Sequence, residues 1–236
     1  MRILITRPRE DAEPFARALT ALGHTCVIEP LLEVVFLDGP ELDLIGVQAI
    51  ALTSANGARA VARRTTRRDI AIVAVGPATA NAARAAGFTI VSESTGEGVD
   101  GLAAFVRATL RPADGALFHP TGSSTAGDLA GALEPLGFNV RREAIYDAQA
   151  VDHISGATVA ELSAGLIDAV TFFSPRTAAI FVELSEEENL EASLTRVRAI
   201  CLSQAVATAL APMQFGEIRV AEKPSQDALL ATIGPA

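Results

Sequence analysis

The chain has 236 residues, of which 50% are hydrophobic, 5% are aromatic and none is tryptophan. It is long enough for two small domains but poor in the aromatic side chains that stack on bases or sugars. Its net charge of −9 at pH 7 disfavours nucleic-acid binding, which needs a basic face. The one dense basic run, Arg63–Arg64 with Arg67–Arg68, is expected to be a solvated helix end and turn.

The sequence has no pattern typical of membrane insertion, export or metal binding. No apolar stretch reaches the roughly 20 residues that span a bilayer, and the start MRILITRPRED turns polar too early for a secretion signal. Cys26 and Cys201 lie in apolar segments and are expected to be buried, reduced thiols. No Cys/His cluster has metal-ligand spacing. We therefore expect a cytoplasmic protein without a metal.

Short apolar runs alternate with amphipathic stretches along the chain. Strands are predicted at residues 2–6, 25–28, 49–52, 70–75, 89–92, from 116, 170–173, 197–202 and 218–221. Helices are predicted at residues 10–22, from about 54, 78–86, 101–109, around 129–136, 155–164, from the loop 174–177 to 184, 204–211 and at the end of the chain. Residues 29–36 and 140–148 are predicted to be extended.

The sequence repeats itself. Residues 116–146 echo 2–32, and residues 169–233 echo 49–105, in the order A, B, A′, B′. The apolar stripe Phe15, Leu19 and Leu22 is repeated by Leu129, Leu133 and Leu136, and the helix-ending Gly23 is repeated by Gly137. Repeats of this length, built of strand and helix, indicate duplicated domains with a natural site in the cleft between the copies.

Strands that alternate with helices indicate an α/β fold in which each parallel β-sheet is flanked by helices. Right-handed crossovers place the loops that follow the strands on one edge of each sheet, where ligands bind. Six such loops are predicted: Thr6–Pro8, Thr53–Gly57, Gly76–Thr79, His119–Ser124, Ser174–Thr177 and Ser203–Val206.

Several of these loops open helices, whose free N–H groups attract carboxylates or phosphates. Each Ser or Thr taken alone could equally be an ordinary N-cap, with Ser54 or Asn56 capping the helix that follows residues 49–52. None of the loops is a Walker A motif, and Gly96-Glu97-Gly98 is not a dinucleotide fingerprint.

The familiar catalytic motifs of hydrolases and metalloenzymes are missing from the sequence. His119 follows a predicted strand and could act as an acid or a ligand contact, or could stabilise its loop. An enzyme-like chain with few acid–base candidates suggests chemistry performed mostly by positioning the reactants.

Taken in order, the motifs resemble the uroporphyrinogen-III synthase family. The resemblance is carried by TRP near the N-terminus, LTSANGARAV, VGPATANAARAAGF, HPTG, REAIYDA, VTFFSPRTAAIF and EKPSQDALL. Each motif is short, but their order and spacing cover nearly the whole chain.

The resemblance implies two similar α/β domains joined by a two-stranded linker, with the first domain discontinuous. For this chain it implies a first domain of residues 1–33 and 152–236, a second domain of residues 38–142, and linker strands at 34–37 and 143–151. The repeat alone would have suggested two tandem halves instead.

The resemblance also implies an activity. Family members take the linear tetrapyrrole hydroxymethylbilane, remove water and close the macrocycle with the last pyrrole ring inverted, through a proposed spiro intermediate and without a cofactor. The substrate closes without inversion unaided, so the enzyme has to steer the closure. We expect a monomer that makes at most a transient contact with the preceding pathway enzyme.

Site residues follow from the same resemblance. The tyrosine that the family places near the linker matches Tyr146, the candidate for assisting departure of the hydroxyl; packing between the domains is the alternative role. Family contact residues match Ser54, Thr79 and Ser174, and a basic family residue matches Arg198.

Loop position and charge add Arg7, Thr121 and Arg176 to the substrate-binding candidates, since Arg suits bidentate binding of carboxylates. In the last B unit the family often has Gly-Pro-x-Thr-Ala, where this chain has Ser203–Ala207 with Val206 in place of the threonine. Ser203 is the only hydroxyl nearby that could replace it.

Two other classes of function remain open. A two-domain module that binds or senses small anions would share the cleft and the helix starts without catalysing a reaction. A phosphosugar or nucleotide enzyme is disfavoured because a phosphate loop and an acidic metal cluster are missing from the sequence.

Overall fold

Two β-sheets organise the chain in a computed structural model, which describes residues 1–96, 98–123 and 127–236. Glu97 and Ser124, which the sequence analysis included in two loops, lie outside the described residues. The chain divides into a first unit, Met1–Glu33 with Gln149–Ala236, and a second unit, Val34–Ala148. The segments expected as linker strands, 34–37 and 143–151, fall in strands that cross these two boundaries.

The first unit is a five-stranded parallel sheet with helices on both faces. Its elements are β1 (Arg2–Ile5), α1 (Arg9–Ala21), β2 (Thr25–Ile28), α6 (Gly156–Ser163), β9 (Ala169–Phe172), α7 (Pro175–Glu187), α8 (Glu191–Leu194), β10 (Arg198–Cys201), α9 (Gln204–Ala209), β11 (Glu217–Val220) and α10 (Gln226–Ile233).

The second unit contains a six-stranded sheet. Its elements are β3 (Leu32–Phe36), β4 (Val47–Leu52), α2 (Ala55–Arg64), β5 (Ala71–Ala74), α3 (Pro77–Ala85), β6 (Val91–Glu93), α4 (Gly98–Thr109), β7 (Ala116–Gly122), α5 (Leu129–Leu133) and β8 (Val140–Ala150). The sheet order is β3-β8-β7-β4-β5-β6, and the five strands from β8 to β6 pair in parallel. The predicted α/β fold with parallel sheets flanked by helices is therefore confirmed.

The two units share one strand order. It runs β2-β1-β9-β10-β11 in the first and β8-β7-β4-β5-β6 in the second, with the two strands of an A repeat beside the three strands of a B repeat. Numbered along the chain, this is the doubly wound order 2-1-3-4-5 in the first unit and its circular permutation 5-4-1-2-3 in the second. The register of the central pair is also the same, because Leu4 pairs with Val170 as Phe118 pairs with Ile50. Each unit thus combines one A repeat with one B repeat.

Alternating strand residues supply a core on each face of each sheet. In the first unit, Ile3 and Ile5 pack with Phe15 of α1, while Leu4 packs with Phe181 of α7 on the other face. All of these side chains are fully buried, and burial of each stabilises the fold by about 1.5–3 kcal/mol. The second unit repeats the arrangement with two further clusters.

The helix predicted around residues 129–136 is shorter than α1, its equivalent in the first A repeat. Helix α5 ends at Leu133 and a 3-10 turn covers Glu134–Leu136, because Pro135 is unable to donate the next helical hydrogen bond. Leu136 is consequently 45% exposed, outside the expected apolar stripe. Gly137, like Gly23, does end its segment with a positive φ, 89° and 90° respectively.

Both chain ends lie at the turn between α1 and β2. The terminal amine of Met1 lies 3.3 Å from Nδ1 of His24, whose Nε2 lies 2.8 Å from the carbonyl oxygen of Gly234. The N–H of Ala236 donates to the carbonyl oxygen of Leu22. His24 is 2% exposed, so the contact is part of the first unit's interior.

Half of the basic run is part of the fold. Arg63 and Arg67 are exposed at the expected helix end and turn, whereas Arg64, which pairs with Glu143 at 2.8 Å, and Arg68 are not solvated.

Arg68 donates from Nε to the carbonyl oxygen of Ala86 at 2.9 Å, and from its terminal nitrogens to those of Thr65 and Ala62 at 2.6 and 3.0 Å. Its guanidinium lies 5.0 Å from the ring centroid of Phe88. One side chain thereby satisfies carbonyls at the ends of both α2 and α3.

We expect Arg68→Lys to lower the free energy of unfolding by about 2 kcal/mol, because an ammonium group is unable to reach these carbonyls together. Arg67→Lys is the matched control, since among the described residues the side chain of Arg67 pairs with the exposed Asp69 alone. This variant should change stability by less than about 0.5 kcal/mol. Urea titration measures both, and equal losses in the two variants would contradict the role of Arg68.

Candidate active site at the carboxyl edges of the sheets

The candidate residues lie on loops that follow parallel strands. In the second unit these loops come after β4, β5 and β7, and in the first unit after β1, β9 and β10. Within each unit the carboxyl ends of these strands face one edge, and the strand order reverses between β7 and β4 and between β1 and β9. This reversal is where doubly wound sheets bind ligands.

Ser54 and Tyr146 meet at the edge of the second unit. The hydroxyl oxygen of Ser54 lies 2.8 Å from that of Tyr146, although the residues are 92 positions apart. Ser54 is also the N-cap of α2, where its oxygen accepts the N–H of Gly57 at 3.0 Å. The alternative cap, Asn56, instead accepts a hydrogen bond from Arg59 inside the helix.

A register shift in β8 positions Tyr146. Thr121 pairs with Ala144, but the next residue, Gly122, pairs with Tyr146, so Ile145 is an extra residue of the β-bulge type. Adjacent residues of a regular strand point to opposite faces, and a bulge removes that alternation. Ile145 and Tyr146 accordingly contact the same hydrophobic cluster, and the hydroxyl of Tyr146 reaches Ser54.

His119 lies inside β7, which corrects its expected loop position. It is 3% exposed, its Nε2 is 3.4 Å from the hydroxyl of Thr53, and its Nδ1 has no hydrogen-bond partner among the described residues. Burial, helped by the nearby charge of Arg142, lowers the pKa of His119 from 6.5 to about 4. The imidazole is therefore neutral at pH 7 and supports the loop before Ser54.

Thr79 and Thr121 differ in what they offer a ligand. Thr79 lies in the first turn of α3 and is 4% exposed. The N-cap of α3 is Gly76, which has no side chain to accept the first N–H groups, so this helix start is open to an external anion. Thr121 is inside β7, and its hydroxyl donates to the carbonyl oxygen of Glu143 at 3.4 Å.

Arg7 is held at the edge of the first unit. Its guanidinium lies 4.0 Å from the ring centroid of Phe173, which is itself packed edge-on against Phe15. One terminal nitrogen donates to Gln226 at 3.1 Å and the other is 3.6 Å from Asp11. The cation is thus fixed between β1 and β9 before any ligand binds.

Three further candidates open helices of the first unit. Ser174 caps α7 through the N–H of Thr177 and lies 2.8 Å from the hydroxyl of Thr177. Arg176 is exposed on the first turn of the same helix. Ser203 caps α9 through the N–H of Val206 at 3.4 Å, so its oxygen takes the place that a substrate carboxylate would use there.

Arg198 is not brought to this edge. It is the first residue of β10, at the amino end of the strand, where its Nε pairs with Glu217 at 3.3 Å and a terminal nitrogen lies 3.1 Å from the sulfur of Met1. The loops that carry Ser174 and Ser203 follow the carboxyl ends of β9 and β10. The geometry therefore separates Arg198 from the other candidates of the first unit.

The sequence analysis missed Thr53 and Phe173, which line the two edges. They are equivalent in the repeat, since each directly precedes the capping serine, Ser54 or Ser174. This shared position could have identified them from the sequence. A residue that lies between the end of a strand and the N-cap of the next helix is at the carboxyl edge of the sheet, where the capping serine also lies. His119 and Arg7, their respective partners, come from the two A repeats.

The described residues contain no group of three or more His, Cys, Asp or Glu side chains that could hold a metal ion. No described helix is long and apolar enough to cross a membrane. Both cysteines are free; burial raises the pKa of the Cys201 thiol to about 12 and also raises that of the half-buried Cys26, which makes both thiols poor nucleophiles.

Comparison with known proteins gives consistent matches. The family model described as "Uroporphyrinogen-III synthase HemD" matches residues 13–231. A uroporphyrinogen-III synthetase from Helicobacter pylori matches with a TM-score of 0.61 and 16% identity, over 98% of this chain and 97% of that one. A mutant uroporphyrinogen III synthase from Thermus thermophilus matches with a TM-score of 0.52 and 18% identity, over 97% and 96%. No curated protein matches the sequence.

The lowered pKa of His119 predicts a pH dependence of stability. As the pH falls from about 6.5 towards 4, the unfolded chain takes up a proton at this position while the folded chain resists it, so stability is lost, by about 3 kcal/mol at most. His119→Gln should remove this contribution. The free energy of unfolding, measured by urea titration between pH 4 and 7, should therefore fall less steeply with falling pH in this variant than in the wild type.

His153→Gln serves as the control, because His153 is an exposed histidine outside the site. It should leave the wild-type pH curve in place. A His119→Gln curve parallel to the wild-type curve would contradict a neutral, buried His119.

Proposed function

The chain belongs to the uroporphyrinogen-III synthase family, and we propose that it converts hydroxymethylbilane to uroporphyrinogen III. In this reaction of tetrapyrrole biosynthesis, the linear substrate loses water and closes to a macrocycle with its last pyrrole ring inverted. The observation that best supports a catalytic role is the Ser54–Tyr146 hydrogen bond at the reversal point of the second unit's strand order. No cofactor enters the proposal.

Tyr146 is the proposed acid. As the carbon–oxygen bond of the substrate's hydroxymethyl group breaks, the electron pair leaves with the oxygen, and the phenolic proton joins it to form water. The substituted carbon of the last ring then bonds to the carbon that lost the hydroxyl, which gives the spiro intermediate. The original bond from that substituted carbon to its bridge breaks, the freed bridge carbon bonds to the unsubstituted carbon of the same ring, and the hydrogen that this carbon loses as a proton restores the phenol. Hydrogen and charge balance over the cycle, so no outside acid or base is consumed.

Binding of the substrate's acetate and propionate groups is assigned to the loop edges. The uncapped start of α3 with Thr79 offers N–H groups in the second unit. Arg7, pre-positioned on Phe173, and the exposed Arg176 offer cations in the first. These local positive groups compensate for the net charge of −9, which would otherwise repel a polyanionic substrate. Ser174 contributes a hydroxyl at the start of α7.

The proposal places specificity in positioning. The substrate closes unaided without inversion, so the protein has to favour attack at the substituted carbon by holding the chain in one fold. Many weak carboxylate contacts on rigid helix starts suit that task, since each fixes one substituent without itself reacting. Thr121 and Ser203 support the edges through the hydrogen bonds that they already make.

We also propose a cytoplasmic monomer. The reaction has a diffusible substrate, and the family membership supports a biosynthetic setting. A transient contact with the preceding pathway enzyme would shorten the lifetime of the free, unstable substrate.

Turnover tests the proposed function. The protein is incubated with enzymatically generated hydroxymethylbilane, the products are oxidised, and the porphyrin isomers are resolved by chromatography. We expect the type III isomer to dominate. If the protein yields only the type I isomer, the activity is refuted and a non-catalytic anion-binding role takes its place.

Tyr146→Phe should lower the rate of type III formation on the order of 100-fold, the usual contribution of general acid catalysis, while the thermal unfolding temperature stays close to wild type. The side chain is only partly buried, so loss of its hydroxyl leaves the core intact. Unchanged kinetics in this variant would remove Tyr146 from the mechanism.

A further inference from the structure

We propose that Ser54 acts on the reaction through Tyr146, as a positioning residue, and not by binding a carboxylate of the substrate. Its hydroxyl donates to the phenolic oxygen, which leaves the phenolic hydrogen to be directed at the substrate. This inference rests on the proposed function, because it assigns a task to a residue in the same site.

The hydrogen-bond inventory of Ser54 supports this assignment. Its oxygen accepts the N–H of Gly57 at 3.0 Å and lies 2.8 Å from the oxygen of Tyr146. The described residues offer neither hydroxyl any other hydrogen-bond partner. Between them the two hydroxyls hold two hydrogens, and one bond uses one of them, so one hydrogen is left for an outside acceptor.

The identity of that remaining hydrogen decides the chemistry. If Tyr146 donates to Ser54, the substrate meets an aliphatic hydroxyl, which is a very weak acid. If Ser54 donates to Tyr146, the substrate meets a phenol, which is a far stronger one. The leaving hydroxyl of the substrate accepts best from the phenol, so its binding selects the second arrangement.

The same arrangement stabilises the product of proton transfer. Once the phenolic proton has joined the departing oxygen, the phenolate accepts a hydrogen bond from Ser54, whose oxygen is polarised by the N–H of Gly57. Ser54 also occupies the start of α2, where the helix dipole favours negative charge. No atom of Ser54 needs to leave or arrive, so its role is orientation and charge stabilisation alone.

The other copy of the repeat lacks this contact, and one residue accounts for the difference. Ser174 caps α7 in the same manner, but its hydroxyl partner is Thr177 of its own helix, at 2.8 Å. The equivalent of Thr177 in the second unit is Gly57, which has no side chain to compete. A Cβ atom at Gly57 would lie 3.6 Å from the oxygen of Ser54, an ordinary contact. The glycine therefore frees Ser54 for Tyr146.

A double-mutant cycle on kcat tests the proposal, with the isomer assay as readout. We expect Ser54→Ala to lower kcat about 10-fold, the effect of one lost hydrogen bond, with little change in KM, and Ser54→Thr to restore most of the rate. In the Tyr146→Phe background, Ser54→Ala should cost less than about 2-fold, because the two residues act as one unit.

Ser225→Ala is the matched control for the loss of a helix cap. Ser225 caps α10 by accepting the N–H of Ala228 at 3.2 Å and contacts no tyrosine. Its effect on kcat, whatever its size, should be the same with and without Tyr146→Phe. If Ser54→Ala lowers kcat by the same factor with and without Tyr146→Phe, or changes only KM, the proposal is overturned in favour of substrate binding by Ser54.

A second pair of variants keeps the cap of α2 in place. Gly57→Ser imports a hydroxyl like the one that occupies Ser174 in the other unit and should divert Ser54, so that kcat falls about 10-fold. Gly57→Ala adds only the Cβ atom, which makes ordinary contacts, and should retain most of the rate. Equal losses in both would show that bulk, and not the hydrogen bond, is responsible.

Spectroscopy separates the hydrogen bond from turnover. Tyr146 is the only tyrosine and the chain has no tryptophan, so the tyrosine doublet of the Raman spectrum reports on this phenol alone. The doublet ratio should change in Ser54→Ala and Gly57→Ser but not in Gly57→Ala or Ser225→Ala. An unchanged ratio in Ser54→Ala refutes the contact, whereas a wild-type protein that forms no type III isomer refutes the proposed function instead.

Discussion

Everything in this fold depends on two central strand pairs that join distant parts of the chain. β1 pairs with β9 across more than 160 residues, as Leu4 with Val170, and β7 pairs with β4, as Phe118 with Ile50. Both pairs are fully or almost fully buried, so a register slip would move apolar residues to the wrong face. The strand order reverses at these same two pairs. Their register therefore determines both the packing of the core and the position of the candidate site.

The two copies have diverged at the side chains that line the carboxyl edges of the sheets. In the first unit an aromatic ring and a cation, Phe173 and Arg7, fill the position. In the second unit a polar pair, Thr53 and His119, fills it, and the neutral imidazole adds no charge there. At this position the first edge thus carries a cation, whereas the side chains of the second edge are neutral.

The sequence predicted the elements well because their signals are local: apolar strand runs, helix stripes and glycines such as Gly23 are read within a few residues. It also supplied Ser54 and Tyr146 through the family resemblance. The contact between Ser54 and Tyr146 was not predicted. It depends on Ile145, the extra residue in β8, and such an insertion has no signature in composition or in hydrophobic periodicity. Arg198 was predicted from its match to a basic residue of the family. That match did not indicate that Arg198 lies at the amino end of β10, away from the carboxyl edge. The role of Arg68 in the basic run was not predicted, because the carbonyl groups that bind it become neighbours only after folding.

The meeting of the chain ends at His24 bears on the connectivity of the fold. A short peptide from Ala236 to Met1, combined with a cut after Glu33, would give a circular permutant that reads B, A′, B′, A. Its two units would be continuous and in tandem, each with strands in the chain order 3-4-5-1-2 of the doubly wound sheet. The interleaved architecture is therefore related to a tandem one by a circular permutation, and the permutant is the form in which each unit is an uninterrupted stretch of chain.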